Sequence, residues 1–281
     1  MLSTQQHTKY PLRRFLPTSA GAWTLAILGA VAALFTLYLS VTVFHATTTH
    51  SPRMALAYLA PIALVVFLVW ATGLLPKLRP SGQASLKDHL SPAWYLLFVA
   101  LAVLLLALLG AQGKQLVIPS LGTLLTVIIV NLLIGLFEEI LCRGFIQNIL
   151  LFQARRTGRS VWWSIVWASI IFGVMHVTNL IGQPHLKIAT LSQIIYAIAA
   201  GIILGTAYYI SGNIWVVALI HGLVDFLSSF GEVLLPPATP GGIVPDSTLG
   251  AAIIQVMILL PGIWLAWHAL RKHTDRIDQP S

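Results

Sequence analysis

Residues 121–152 read LGTLLTVIIVNLLIGLFEEILCRGFIQNILLF, an apolar run interrupted by two adjacent carboxylates, Glu138 and Glu139. Arg143 follows four residues after the second acid. A charged side chain at bilayer depth costs about 2.5 to 3.5 kcal/mol even on lenient insertion scales. The chain has only eight acidic residues, so two of them side by side in such a run indicate a function.

The composition is that of a membrane protein. Hydrophobic residues make up 57% of the chain and charged residues 9%, and the mean hydropathy is +0.86, which is unlike a soluble globular domain. Several runs are long enough to cross about 30 Å of hydrocarbon. The predicted spans are 21–44, 54–75, 92–111, 119–150, 161–181, 189–210, 213–230 and 248–269. We therefore predict an all-α, polytopic membrane protein that forms one integral membrane domain over 1–281.

The basic residues predict the topology. The first run follows three cations as a signal peptide does, but it is about 24 residues long without a small-residue cleavage pattern, so we expect a retained helix. Twelve of the sixteen Lys and Arg residues fall at the two ends and in alternate connections: Lys9, Arg13, Arg14, Lys77, Arg79, Lys87, Arg155, Arg156, Arg159, Arg271, Lys272 and Arg276. The other connections carry Arg53, Lys114 and Lys187. Tails 1–20 and 270–281 should therefore be cytoplasmic.

This distribution also bears on partners and localisation. The pI of 9.9 reflects topology and anionic lipid headgroups, so we expect the lipid bilayer, and no nucleic acid, as a partner. We expect an integral protein of a cell membrane, the inner or plasma membrane of a prokaryote. The sequence does not predict an oligomeric state.

Four further features have ordinary explanations. Cys142 is the single cysteine, which excludes an intrachain disulfide, and among apolar neighbours it is expected to fill the core. Gly201 and Gly205 predict close approach of a neighbouring helix. An aromatic cluster at the start of the fifth run indicates an interfacial belt, with a substrate groove as the alternative. Its residues are Trp162, Trp163 and Trp167. The Pro- and Gly-rich loop 236–245 is a linker or a lid.

The charged motif itself predicts a division of labour. On a helix, Glu139 and Arg143 lie on one face with the acid nearer the amino terminus, which favours an ion pair. Glu138 is rotated by about 100° and faces elsewhere. A purely structural ion-pair network is the alternative, but one acid paired with Arg143 would suffice for it, and the second acid stays unexplained.

Two histidines fall deep in predicted helices and supply partners for these acids. His176 lies in the fifth span, and His221 lies in the seventh, with Asp225 four residues later. Either histidine alone would fit a packing role, and His221 with Asp225 would fit an orienting pair. Together with a glutamate in a low-dielectric cavity, they can hold a water molecule, remove its proton and stabilise an oxyanion, as peptide hydrolysis requires.

Three ordered motifs resemble the CAAX protease and bacteriocin-processing family of intramembrane endopeptidases, also called the Abi family, which includes the eukaryotic type II CAAX prenyl endopeptidase. The Glu-Glu-x-x-x-Arg pattern appears at 138–143, Phe-x-x-x-His at Phe172 to His176, and His-x-x-x-Asn/Asp at His221 to Asp225. The resemblance covers about 138–225. It implies about eight helices around an intramembrane catalytic cavity, with 119–230 as the catalytic core.

The resemblance also implies roles for these residues. Glu138 would activate water with help from His176, while His221 and Asp225 would stabilise the oxyanion. Glu139, Arg143 and Phe172 would support the site. Because an ionised carboxylate cannot donate to an oxyanion, Asp225 is protonated, orients His221 or belongs to a metal site.

Metal use stays open in the sequence. Glu138, His176 and His221 could ligate a catalytic zinc ion, although the soluble His-Glu-x-x-His arrangement is absent. The resemblance fits either a zinc enzyme or a glutamate-dependent enzyme without a cofactor, and we favour the latter slightly.

The function predicted is hydrolysis of a peptide bond in a peptide or membrane-protein substrate. The alternatives are an ion- or proton-coupled transporter, because buried Glu, His and Asp residues also build proton relays, and a noncatalytic scaffold. A transporter would show paired broken helices in two repeated halves, which the sequence lacks. Nothing in the sequence selects between a prenylated substrate and another one.

Overall fold

The computed structural model describes residues 9–46, 48, 50–80, 84–111, 116–234 and 246–277, and all the regular secondary structure in these ranges is helical. The helices are α1 Ser19–Val43, α2 Pro52–Ala57, α3 Leu59–Ala71, α4 Leu86–Leu90, α5 Trp94–Gly110, α6 Leu121–Glu139, α7 Asn148–Thr157, α8 Val161–Met175, α9 Asn179–Gly182, α10 Lys187–Ser211, α11 Ile214–Leu234 and α12 Leu249–Ile277. The predicted loop at 236–245 lies outside the described residues.

The predicted all-α, polytopic membrane fold is confirmed. Seven helical stretches in the described ranges are long and apolar enough to span a membrane. The remaining predicted span, 92–111, contains α5, which is apolar but has 17 residues. At 1.5 Å per residue it is about 25 Å long, slightly less than the hydrocarbon thickness. The orientation of the two ends relative to the cytoplasm stays a prediction.

The ends of the central helices follow ordinary capping chemistry. Ser120 accepts a hydrogen bond from the Thr123 amide at the start of α6. Gly158 after α7 and Gly212 after α10 take left-handed conformations, with φ of 64° and 59°. Since glycine adopts positive φ without a steric penalty, these residues end the helices sharply.

A π-helical segment, Ile140–Gln147, joins α6 to α7 directly after the two glutamates. All eight of its residues are buried. In this widened turn, backbone carbonyl groups accept hydrogen bonds from side chains. The side-chain amide of Asn148 donates to the carbonyls of Arg143 (2.9 Å) and Gly144 (3.1 Å). Such segments occur often at functional sites, and here one begins at the residue after Glu139.

Glycines set a close helix contact at the site, between α6 and α11. A Cβ atom on Gly135 would lie 2.6 Å from the Gly222 backbone nitrogen. A Cβ atom on Gly222 would lie 2.8 Å from the Asn131 carbonyl oxygen. The two backbones therefore touch, and this contact brings His221, next to Gly222, against the end of α6.

The predicted close approach at Gly201 and Gly205 is present on α10. A Cβ atom on Gly201 would lie 2.9 Å from the Ser169 Cβ of α8, and one on Gly205 would lie 2.6 Å from Gln147 Oε1. The carbonyls of the same two glycines accept hydrogen bonds from Arg143 and Gln147. The small residues therefore let α10 approach α8 and the π-helical segment together.

Candidate active site

Glu139 and Arg143 form the ion pair that their spacing predicts. Glu139 Oε1 lies 2.8 Å from Arg143 Nη1, and the two side chains are 0% and 2% exposed. Arg143 Nη2 donates to the Gly201 carbonyl at 3.0 Å. The guanidinium also lies 5.2 Å from the Phe172 ring centroid. The arginine is thus held by a carboxylate, a backbone carbonyl and an aromatic face.

His221 connects this ion pair to Glu138. Its Nδ1 lies 2.7 Å from Glu139 Oε1. Because a carboxylate oxygen accepts, Nδ1 carries the proton of this hydrogen bond. Nε2 on the other side of the ring lies 3.4 Å from Glu138 Oε2 and 3.6 Å from Asp225 Oδ2. The short contact that orients the imidazole is therefore made by Glu139, a contact that the sequence did not reveal.

Glu138 and Asp225 occupy the more open side of this cluster. Their side chains are 19% and 32% exposed, whereas Glu139 is fully buried. Two partly exposed carboxylates therefore converge on one ring nitrogen of His221. A carboxylate in that setting can exchange protons with a bound molecule, which Glu139 cannot do because it is enclosed.

Phe172 brings the two histidines into one cluster. Its carbonyl accepts a hydrogen bond from His176 Nδ1 at 3.1 Å, which leaves Nε2 of a neutral His176 ring as the acceptor. Its ring meets the His176 ring edge-on at 5.0 Å and the His221 ring at 5.8 Å. The Phe-x-x-x-His motif therefore supplies a backbone acceptor as well as an aromatic contact.

The site gathers all seven residues that the sequence predicts for it. They come from α6, the π-helical segment, α8, the turn that follows α8, and α11. Sequence reasoning expected Glu138 to face His176, whereas the histidine that lies directly beside Glu138 is His221. His176 is within electrostatic range of His221 and Asp225. Geometry across separate helices decides these pairings, so motif spacing could not reveal them.

Two tyrosines near the acids were missed by sequence reasoning. Tyr58, at the break between α2 and α3, packs edge-on against Phe137 at 5.8 Å. Tyr58 and Tyr196 are both within electrostatic range of Glu138 and Asp225. Both lie outside the three motifs, and a tyrosine in an apolar helix carries no distinctive sequence pattern.

The side chains as arranged do not form a metal-ligand set. No group of three or more His, Cys, Asp or Glu side chains within the described ranges converges closely enough to hold an ion. Nδ1 of His221 is already used by Glu139, and Nε2 faces two carboxylates. We therefore assign no step of the reaction to a metal.

Comparison with family models gives one match. Residues 120–227 match the family model described as type II CAAX prenyl endopeptidase Rce1-like. The matched segment holds the charged motif, both histidines and Asp225. Comparison with curated proteins and with solved structures gave no match.

The match confirms the resemblance to the CAAX protease family. It also supports two coarser statements, that the chain is a peptidase and that it is an integral membrane protein. The matched segment corresponds to the α6 to α11 part of the fold, so the first helices and α12 lie outside it.

Proposed function

We propose that this chain is an intramembrane endopeptidase in which Glu138 activates the attacking water. The observation that carries this proposal is the difference between the two glutamates. Glu138 is partly exposed beside His221, while Glu139 is fully buried against Arg143 and the other nitrogen of His221. The accessible acid is the one able to meet water and substrate.

In the proposed reaction, Glu138 takes a proton as the water oxygen attacks the carbonyl carbon of the scissile bond. The neutral His176 ring accepts a hydrogen bond from the same water through Nε2 and so positions it. When the tetrahedral intermediate collapses, the carbon–nitrogen bond breaks and Glu138 passes its proton to the leaving amine. Peptide hydrolysis then balances without any further reactant.

His221 stabilises the oxyanion in this proposal. Its Nδ1–H is held by Glu139, which fixes the ring and turns Nε2 toward the open side. With a second proton on Nε2, the ring can donate to the oxyanion as negative charge develops. Asp225, 3.6 Å from Nε2, balances the charge of that imidazolium between turnovers.

Comparative peptidomics of membranes carrying wild type or Glu138→Ala tests the proposal and identifies the substrate. We expect products present with wild type to disappear with Glu138→Ala, and the same loss in purified protein reconstituted in lipid. Cys142→Ala is the matched control, because Cys142 lies four residues after Glu138, is buried and has no assigned role. Continued cleavage by purified, folded Glu138→Ala would overturn the mechanism.

The same purified system distinguishes a metal-dependent reaction from the proposed mechanism. The proposed mechanism predicts that prolonged chelation leaves cleavage unchanged. Activity that chelation abolishes and zinc restores would replace this mechanism by a zinc-dependent one. Flux driven by an ion gradient without any cleavage would favour the transporter alternative instead.

A further inference from the structure

A cavity lies at one end of the helix bundle, and none of its lining residues belongs to the candidate active site. Its volume is about 440 Å³, within the range of small-molecule sites. It is lined along one side of α7, by the carboxyl ends of α10 and α12, and by the chain that continues after α3. Its lining residues are Pro76, Lys77, Arg79, Pro80, Asn148, Leu151, Arg155, Tyr208, Tyr209, Gly212 and His273.

The cavity is strongly basic. Lys77, Arg79 and Arg155 surround it, His273 adds a fourth nitrogen base, and no Asp or Glu occurs among the described residues that line it. The three cationic side chains are exposed, so they form a rim that solvent and lipid headgroups can reach. The rim is therefore selective for anions.

The floor of the cavity is polar, buried and held in place. The Tyr208 hydroxyl donates to the Lys77 carbonyl at 3.0 Å and accepts from Asn148 Nδ2 at 2.9 Å. Tyr208 and Asn148 are 4% and 7% exposed. This hydrogen-bonded chain fixes the Lys77 backbone relative to α7 and α10.

Ordinary membrane-protein electrostatics explains only part of this arrangement. The bias of Lys and Arg toward one side of the membrane explains why the three cationic residues share a side. It does not explain why all three line the same cavity. Arg155 lies in the last turn of α7, where a cation complements the helix dipole. Lys77 and Arg79 are outside the last turn of any α-helix, so this explanation does not cover them.

We propose that this cavity binds the phosphate group of an anionic phospholipid. Helix ends lie at headgroup depth, and basic pockets between helices at that depth suit anionic headgroups. Arginine pairs with phosphate oxygens in a bidentate manner, and lysine contributes a point charge. The proposal concerns a ligand and not the cleavage reaction, so it stands or fails independently of the role of Glu138.

Native mass spectrometry of the full chain in an uncharged detergent tests the proposal. A soluble short-chain phosphatidylglycerol is titrated, and the affinity of the first bound lipid is measured. The triple variant Lys77→Gln, Arg79→Gln, Arg155→Gln removes the rim. The matched variant Arg14→Gln, Arg156→Gln, Lys272→Gln removes three cations that do not line the cavity. Circular dichroism checks that both variants are folded.

We expect the rim variant to bind phosphatidylglycerol about ten- to a hundredfold more weakly than wild type, and the matched variant to bind within about threefold. Arg79→Gln alone should already weaken binding, and it keeps the test decisive if the triple variant does not fold. Equal losses in the two triple variants would show general charge attraction and overturn the proposal.

Three further ligands separate the sources of affinity. Phosphatidylcholine carries a phosphate without net negative charge, and a fatty acid carries negative charge without a phosphate. If the proposal is right, both bind more weakly than phosphatidylglycerol. Inorganic phosphate should compete only weakly. Full displacement by inorganic phosphate would identify a free phosphate site, and equal binding of the fatty acid would show that the phosphate is not recognised. Either result would overturn the lipid proposal.

Discussion

The Glu139 and Glu138 sides of the site differ in how far the protein encloses their carboxylates. On the first side, Glu139 contacts Arg143 and His221 and is fully buried. On the second, Glu138 and Asp225 are partly exposed and lie 3.4 and 3.6 Å from the same ring nitrogen. His221 separates the two sides. The Glu139 side fixes the geometry of the imidazole, and the proposed function assigns the Glu138 side to the reacting molecules.

Exchanging each glutamate for glutamine separates the two sides most sharply. Glu138→Gln should lower cleavage by about a thousandfold, because an amide cannot take the proton of water. Its thermal unfolding should match that of wild type, since the side chain is partly exposed. Cleavage and unfolding are measured on the same reconstituted protein.

Glu139→Gln is the matched change and should lower stability more than Glu138→Gln does. The amide leaves the buried guanidinium of Arg143 without a counterion. If the two substitutions had the same effect on unfolding and on cleavage, the division between the two sides would be wrong.

Replacing Arg143 tests the Glu139 side of the site through the other partner of the ion pair. Arg143→Met should cost about 3 to 5 kcal/mol of stability, because Glu139 then stays buried without its counterion. Chemical unfolding in detergent measures this loss. The double variant Arg143→Met, Glu139→Gln should be more stable than Arg143→Met alone, because no charge is then left unpaired. No recovery in the double variant would contradict the ion-pair explanation.

The glycine contact tests whether the two sides depend on close helix approach. Gly222→Ala places a Cβ atom 2.8 Å from the Asn131 carbonyl oxygen and 2.9 Å from the Leu132 Cα atom, so α6 and α11 must separate. We expect a loss of about 1 to 3 kcal/mol in stability and a lower cleavage rate.

Gly250→Ala is the control for this substitution, because no atom lies within 4 Å of a Cβ atom there. It should leave both stability and cleavage close to wild type. A Gly222→Ala variant as stable and active as Gly250→Ala would show that the site tolerates a wider separation of the helices.

Asp225→Asn measures what the acid at this position adds to the open side. We expect less than about a tenfold change in cleavage, because partly exposed ion pairs contribute little and Glu139 already orients His221. Steady-state cleavage and its pH profile are the measurements. A larger loss would show that the carboxylate itself takes part in the chemistry.

The smallest effect is expected at Asp246, a surface carboxylate far along the chain from both glutamates. Backbone N–H groups of Ile188 and Ala189 donate to it at 2.8 and 2.9 Å, and these bonds lower the pKa of its carboxyl. Leu186 at the start of α10 provides no side-chain cap, so Asp246 takes that role.

A lowered pKa gives this cap a definite pH dependence. The stabilisation is complete above the ordinary pKa of aspartate and is lost as pH falls through the lower folded-state value. Asp246→Asn should speed hydrogen exchange at Ile188 and Ala189 about two- to fivefold at neutral pH. The difference in exchange rate between the variant and wild type should become smaller as the pH is lowered. A difference in exchange rate that stays constant from neutral to acid pH would show that protonation of Asp246 does not weaken the cap.

Much of the fold was predictable because lipid imposes a simple rule. Backbone groups must be satisfied internally, so an apolar run of sufficient length becomes a helix, and all eight runs did so. The ion pair of Glu139 and Arg143 was predictable too, because it lies within one helical turn. The π-helical segment was not predictable, since its widened turn depends on what Asn148 and the glycines of α10 contact.

By itself, the sequence determined the helices, the family resemblance and the candidate site residues, because periodicity and motif spacing are local properties. Only the tertiary structure decided that His221 rests on Glu139 rather than on Asp225, that Phe172 joins the two histidines, and that Glu138 is the accessible acid. The physical reason is that burial and hydrogen-bond partners depend on how helices distant in the chain cross. Here that crossing is set by two glycines, Gly135 and Gly222, whose missing side chains let the backbones touch.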